Sequence, residues 1–141
     1  MKRTLKRLSI PLGEPFATAR GVVAKRELLL LRLEDVDGAV GHGEAAPFEP
    51  YDGVALDDVA AALLATEPEA SERADALPAH ARAAVEMALL DLRARREGRP
   101  VGDPGAEAIA VNRTLPAGPP EEVARRAREG VRAGYSCFKL K

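Results

Sequence analysis

The amino-acid sequence predicts an α+β fold in which a three-stranded antiparallel meander is followed by helices and then by one βαβ unit. Three observations lead to this expectation. Residues 4–44 contain three strand patterns, residues 56–97 carry apolar side chains at helical spacing, and residues 109–141 follow the order strand, helix, strand. The length of 141 residues fits one ordinary domain, or a small domain with the beginning of a second.

The meander is predicted from three consecutive strands. The first covers Thr4–Leu12, and the polar segment Glu14–Gly21 after it is expected to be a loop. The second strand, Val22–Leu33, has a continuous apolar centre, which is typical of a central strand covered on both faces. Asp37-Gly38 predicts a hairpin turn, after which Val40–Glu44 returns as the third strand.

Two helices are predicted next. Leu56–Ala65 and Pro78–Glu97 both show an apolar stripe, and Gly98 with Pro100 forms a stop signal after the second helix. The stripe of the second helix consists of Ala81, Ala84, Val85, Ala88, Leu89 and Leu92. Composition changes at Gly98–Gly105, where three Gly and two Pro indicate a boundary between domains.

The last part of the chain predicts a βαβ unit. Ile109–Leu115 is its first strand, a helix runs from Pro119 to a stop at Gly134, and Ser136–Lys141 is its second strand. Such strands run parallel with a right-handed crossover. A two-stranded parallel sheet is not stable by itself, so we expect the chain to be the first part of a longer protein.

Composition excludes several classes of function. The net charge is −1, basic and acidic residues are interspersed, and there is no Trp, so neither nucleic acid nor a membrane surface is an expected partner. A single cysteine, Cys137, cannot form an internal disulfide, and the start of the chain has no secretory signal. We therefore expect a cytoplasmic protein whose partners are small molecules or other proteins.

Several motifs favour structural roles over catalytic or ligand-binding roles. Gly41-His42-Gly43 is followed by Pro47 and not by a helix start, so a tight strand end is favoured over a phosphate loop. Neither His42 nor His80 has further ligands at metal-binding spacing, so structural or surface roles are favoured for both. Cys137 is expected to be a small, buried apolar residue. The charges of Arg125–Glu129 are typical of a solvated helix face.

Two lysines end the chain on one face of the last predicted strand. Lys139 and Lys141 alternate with Phe138 and Leu140, so the two amines project together. A solvated polar tail is the ordinary interpretation of such residues. Inside a barrel, however, desolvation and a like-charged neighbour both disfavour the ammonium form, which suits a general base.

Taken in order, these segments resemble the enolase superfamily, and within it the muconate lactonizing enzyme subgroup. The resemblance rests on Gly41–Pro47 at the end of the meander, on Ala83–Leu92 before Gly98–Pro100, and on Gly134–Lys141. It implies an N-terminal α+β capping domain in residues 1–103. It also implies the start of a (β/α) barrel in residues 104–141, which would be incomplete because such a barrel needs about 250 residues.

The resemblance also implies roles for particular residues. Lys141 matches the general acid/base that removes a proton alpha to a carboxylate, and Lys139 matches the lysine that places positive charge beside it. The segment with Thr18, Arg20 and Gly21 matches the substrate loop of the cap. Asn112 and Arg113, towards the end of the first barrel strand, are further candidates for substrate contact.

The resemblance implies one Mg²⁺ ion in the full-length parent, held by carboxylates on later strands, so no metal ligand is assigned here. The 141-residue chain by itself is accordingly expected to be inactive and to carry no bound cofactor. A small-molecule carboxylate is the expected substrate, and a homo-oligomer is possible.

The specific reaction is left open among members of the subgroup. Pro47–Asp52 and Val111–Pro116 favour o-succinylbenzoate synthase, a dehydratase. Dipeptide epimerase is the alternative, since it uses the same lysine together with a second one across the barrel, and muconate cycloisomerase is another. An alternative of a different class is a non-catalytic α+β domain that binds a protein partner through an exposed helix or sheet edge.

Overall fold

A three-stranded sheet opens the fold. The computed structural model describes residues 1–18, 21–65, 77–102, 105 and 107–141. Strands β1 (Lys2–Thr18), β2 (Gly21–Glu34) and β3 (Val40–Ala45) lie in that order across the sheet. β2 and β3 pair antiparallel, and β1 and β2 must do the same because two residues cannot make a parallel crossover. The predicted meander is confirmed.

The first two strands are longer than the sequence predicts. Glu14–Thr18, expected to be part of a polar loop, continues β1 to a length of 17 residues, and β2 begins at Gly21. An exposed two-stranded ribbon has no buried face, so it does not need the apolar alternation on which the sequence prediction relied. Gly21 adopts a φ of 119°, a conformation that side-chain-bearing residues rarely take. Arg20 lies outside the described residues.

The core lies between the sheet and two helices. The apolar centre of β2 is buried, as predicted for a covered central strand, and it packs with α2 (Leu56–Ala65) and α3 (Ala79–Arg96). The predicted α2 has the observed bounds, and the predicted α3 differs from the observed helix by one residue at each end. The buried cluster consists of Leu29, Leu31, Leu33, Ala45, Val59, Leu63, Ala81, Ala84 and Ala88.

β3 packs directly on α3 because two of its residues have no side chain. A Cβ atom on Gly43 would lie 1.9 Å from the carbonyl oxygen of Ala84, and one on Gly41 would lie 2.0 Å from that of Ala88. The Gly-x-Gly motif therefore admits a helix at close range, which is a different role from the tight strand end that the sequence favoured. On the helix side, the small side chains of the buried alanines of α3 allow the same close approach.

Asp91 of α3 covers the free edge of β3. Its Oδ2 accepts a hydrogen bond from the backbone N–H of His42 at 2.9 Å, and Oδ2 lies 3.7 Å from the His42 Nδ1 atom. Burial alone would raise the pKa of Asp91, but the hydrogen bonds from His42 and Arg95 lower it overall. An exposed strand edge is thus closed by a side chain.

A short helix, α1 (Glu49–Asp52), is not anticipated by the sequence. The Asp52 carboxylate holds its ends, accepting hydrogen bonds from the backbone N–H groups of Phe48 at 2.8 Å and Val54 at 2.9 Å. These bonds lower the pKa of Asp52. The Nε2 atom of His80 lies 3.2 Å from the same carboxylate, so His80 has the structural role that was predicted for it.

The β2–β3 turn is tied to the end of α3. Gly38, with a φ of 80°, donates its N–H to the Asp35 carbonyl at 3.0 Å, which confirms the predicted hairpin turn. Arg96 reaches both turn carboxylates, with Nη2 2.6 Å from Asp35 Oδ2 and 2.7 Å from Asp37 Oδ2. The two aspartates are turn residues, as predicted.

The C-terminal part contains a small parallel sheet and one helix. Strands β4 (Arg113–Leu115) and β5 (Phe138–Leu140) pair in parallel, and helix α4 (Pro120–Arg132) lies between them in the chain. The predicted βαβ unit is confirmed, with shorter strands than expected, because only three residue pairs face each other. No helix in the described part of the chain is long and apolar enough to cross a membrane.

The chain divides into two compact units that do not follow the chain order. The first unit comprises Met1–Ile10 and Arg26–Pro104, and the second comprises Pro11–Lys25 and Gly105–Lys141. The distal part of the β1–β2 hairpin, Pro11–Lys25, therefore groups with the βαβ unit. We call this segment the hairpin tip.

We expect Gly43→Ala to destabilise the protein by about 1–3 kcal/mol, because the added methyl group would force α3 away from β3. The matched control is Gly13→Ala, which adds the same methyl to a strand where no atom lies within 4 Å. Thermal and urea unfolding measure both. Equal midpoints for the two variants would contradict the close packing of β3 on α3.

Candidate active site

The two lysines lie at the carboxyl end of β5. Lys139 is paired with Thr114 of β4 in the parallel register. Lys141 follows the strand, but its backbone N–H donates to the Leu115 carbonyl at 3.1 Å, so the ladder continues through it. Because side chains alternate along a strand, Lys139 and Lys141 share one face, and both are exposed.

The opposite face of this small sheet is covered by α4. A Cβ atom on Gly130 of α4 would lie 2.4 Å from the Phe138 ring and 3.0 Å from the Arg113 side chain. Leu115, on the same face as these two residues, is only 2% exposed. The missing side chain at Gly130 brings the helix onto the sheet, and the lysines project from the face that α4 leaves uncovered.

Asn112 and Arg113 lie at the start of β4 and not towards its end, where the sequence placed them. Asn112 is exposed and precedes the strand, and Arg113 is its first residue. The Arg113 guanidinium stacks on the Tyr135 ring, 5.7 Å from the ring centre. Since Arg113 lies on the α4 face, the structure does not bring it together with Lys139, and a substrate contact by Arg113 stays a prediction that the geometry does not favour.

The substrate-loop residues lie at the hairpin tip. Thr18 is the last residue of β1 and Gly21 the first of β2, and Arg20 between them is outside the described residues. The tip belongs to the same compact unit as β4, α4 and β5. Their contact with substrate stays a prediction.

An ion pair that the sequence did not indicate joins the hairpin tip to α4. Arg126 Nη2 lies 3.0 Å from Glu14 Oε2, and Arg126 Nε donates to Glu122 Oε1 at 2.8 Å. Glu14 and Arg126 are 112 positions apart. No local pattern links residues at such a separation, and the α4 charges were predicted only to form a solvated face.

Glu122 is the centre of the charge network on α4. Hydrogen bonds from Arg125 and Arg126 lower the pKa of Glu122 from its ordinary value of 4.5 to about 2. Arg125 also binds Glu129 one turn further on. Hydrogen bonds to Glu122 and Glu14 raise the pKa of Arg126, so its charged form is favoured by both carboxylates.

Cys137 is exposed, which corrects the buried role favoured by the sequence. Its backbone carbonyl accepts a hydrogen bond from the Arg113 N–H at 3.0 Å, so the main chain of Cys137 extends the pairing of β4 with β5. Within the described ranges, no group of three or more His, Cys, Asp or Glu side chains could hold a metal ion.

Comparison with known proteins yields one family match and several relatives. Residues 2–103 match the family model described as "Mandelate racemase / muconate lactonizing enzyme, N-terminal domain". The L-Ala-D/L-Glu epimerase of Escherichia coli is 31% identical over 93% of this chain and 44% of its own length. The o-succinylbenzoate synthase of Thermosynechococcus vestitus is 41% identical over 43% of this chain and 22% of its own length.

A solved structure shows the same architecture. The dipeptide epimerase of Methylococcus capsulatus, complexed with Mg and the dipeptide L-Arg-D-Lys, superposes with a TM-score of 0.79 at 28% identity. The match covers 99% of this chain and 44% of that one. The chain therefore spans less than half the length of the epimerases that it matches.

We expect the stabilising effect of Glu122 to disappear on acidification. Its pKa is lowered in the folded state, so its ion pairs contribute fully above pH 4.5 and are lost as the pH falls towards about 2. Thermal unfolding of wild type and Glu122→Gln should differ at pH 6, and the difference should narrow between pH 4.5 and 2. The control is Glu121→Gln, and a difference that stays constant with pH would refute the assignment.

Proposed function

Because this chain belongs to the mandelate racemase/muconate lactonizing enzyme family of the enolase superfamily, we propose that it forms the N-terminal part of an enzyme that removes a proton alpha to a carboxylate. The observation that carries this proposal is the placement of Lys139 and Lys141 on the uncovered face of β5, at the carboxyl end of the strand. Barrel enzymes assemble their active sites at this end of their strands.

The chemistry assigned to the lysines is a proton transfer. The neutral amine of Lys141 takes the proton from the alpha carbon, the C–H electron pair stays on the substrate as an enediolate, and Lys141 becomes an ammonium. The positive charge of Lys139 stabilises the negative charge that forms on the carboxylate. Reprotonation of the same carbon from the opposite face would invert its configuration.

We further propose that the reaction is the epimerisation of a dipeptide. The E. coli epimerase matches over 93% of this chain, whereas the o-succinylbenzoate synthase matches over 43%. A dipeptide offers the alpha proton next to a carboxylate that the lysine pair requires. This preference reverses the order in which the sequence alone ranked the two reactions.

The second candidate is an o-succinylbenzoate synthase type of dehydration. It is supported by the 41% identity of the shorter match, which exceeds the 31% of the epimerase match. The same lysine would remove the alpha proton, and hydroxide would leave from the adjacent carbon. Neither the lysine geometry nor these relatives adds support for a muconate cycloisomerase.

We also propose that the complete enzyme requires Mg²⁺. Support comes from the M. capsulatus epimerase, whose structure is a complex with Mg. The described residues of this chain do not fit that ion, so its ligands would have to come from elsewhere in the enzyme.

We expect the complete product of the gene that encodes this chain to exchange the alpha proton of L-dipeptides with solvent. In D₂O the product should gain one mass unit and acquire the D configuration, with EDTA abolishing the exchange. Lys141→Ala should reduce the rate by about 10²–10⁴. Lys6→Ala, which removes an exposed lysine of β1, is the matched control.

Formation of o-succinylbenzoate without dipeptide exchange would replace the epimerase proposal by the dehydratase. Full activity of Lys141→Ala would remove the proposed role of that residue. A gene product that binds another protein and catalyses neither reaction would instead support the non-catalytic alternative.

The 141-residue chain by itself is expected to show no exchange above the uncatalysed rate. Lys139 and Lys141 are exposed in it, and proton abstraction from carbon depends on a site that excludes water. The same D₂O assay with purified chain, with and without Mg²⁺, measures this. Mg²⁺-dependent turnover by the chain would contradict the expectation.

A further inference from the structure

We propose that Arg126 is a positioning residue that holds the hairpin tip on α4 through its ion pair with Glu14. The inference rests on the proposed function in one respect, namely that the tip carries the substrate loop. Two independent observations lead to it. The ion pair joins the tip to the helix, and the tip groups with the βαβ unit and not with the sheet to which its strands belong.

A contact within α4 orients Arg126 towards Glu14. Its Nε donates to Glu122 on the preceding turn of α4 at 2.8 Å, which leaves Nη2 free to reach Glu14 at 3.0 Å. A guanidinium carries its donors in a rigid fork, so one side chain can bind two carboxylates at once. The Arg126 side chain is 31% exposed, and it is therefore partly immobilised by its surroundings.

Glu14 lies on the other side of the contact and is 72% exposed. It is four positions before Thr18, where β1 ends, so the pair acts close to the loop that joins the two strands. Without this contact, the described part of the tip is a two-stranded ribbon with mostly exposed residues, which has little packing of its own. The ion pair thus biases where the tip lies.

The exposure of the ion pair determines how far it shifts the equilibrium between a tip bound to α4 and an unbound tip. An ion pair at the surface shifts an equilibrium by a factor of about two to five. Such a pair is weakened by salt, since the screening length falls to about 3 Å at 1 M. A tip held in this way is released and recaptured readily, which suits a loop that must admit a substrate.

Hydrogen exchange of residues 11–25 in the 141-residue chain tests the contact without any assay of activity. Glu14→Gln and Arg126→Gln should each speed exchange in the tip by two- to fivefold at 50 mM salt, and the double variant should add nothing further. The difference from wild type should vanish at 1 M salt. Exchange in α3 should be unchanged in every variant.

The matched controls are Glu121→Gln and Arg128→Gln, which remove the same charges from α4 at positions where the described chain shows no ion pair. Unchanged exchange in the Glu14 and Arg126 variants would overturn the proposal, as would equal effects from the controls or additive effects in the double variant. Arg126→Lys keeps the charge but loses the fork, so it should fall between wild type and Arg126→Gln.

In the complete enzyme, Glu14→Gln should raise KM for the dipeptide two- to fivefold and leave kcat within a factor of two. A change in kcat alone would overturn the positioning role, while an absence of dipeptide exchange in the wild-type enzyme would overturn only the proposed function. The hydrogen-exchange measurements on the 141-residue chain test the ion pair whether or not the complete enzyme acts on dipeptides.

Discussion

The direct packing of β3 on α3 is the constraint on which the first unit depends. Gly41 and Gly43 leave room for the carbonyl groups of Ala88 and Ala84, so backbone meets backbone without an intervening layer of side chains. The face of the helix that contacts β3 also carries Ala81 and Leu92, which are both buried. A helix held further away would expose the leucines of β2 to water, at about 25 cal/mol for each Å².

In the second unit, too, a glycine allows a helix to pack closely on a sheet, and there the packing determines which face carries the candidate site residues. Gly130 lets α4 approach Phe138 and the aliphatic part of Arg113, which commits one face of the β4–β5 sheet to the helix. Because side chains alternate, the residues between must project from the other face. The common direction of Lys139 and Lys141 is therefore a consequence of the packing of α4 as much as of their own spacing in the sequence.

The parts of the fold that the sequence predicted are those with a periodic buried face. Helix α3 was predicted to within one residue at each end because its stripe of alanines and leucines is continuous, and the covered strand β2 was recognised from its run of leucines. The distal half of β1 was missed because an exposed ribbon has no such stripe. Helix α1 was missed because four residues are too few to show a period.

For the site, the sequence predicted the shared face of the lysines, since alternation along a strand is local. It expected Arg113 towards the end of a strand that begins at Ile109, whereas β4 begins only at Arg113, and it assigned Cys137 to the interior when the residue is exposed. The pairing of Glu14 with Arg126 joins parts of the chain that only the tertiary structure brings together.

The nature of that pairing bears on how the tip could function. If apolar side chains buried the tip against α4, each would stabilise the closed position by about 1.5–3 kcal/mol, and a few together would make it permanent. A charged pair at the surface contributes much less than that, so a tip held mainly by this pair would not be fixed permanently. A substrate that binds only the closed position can then shift the population with a small part of its binding free energy. We therefore expect the ion pair between Glu14 and Arg126 to orient the hairpin without fixing it in one position.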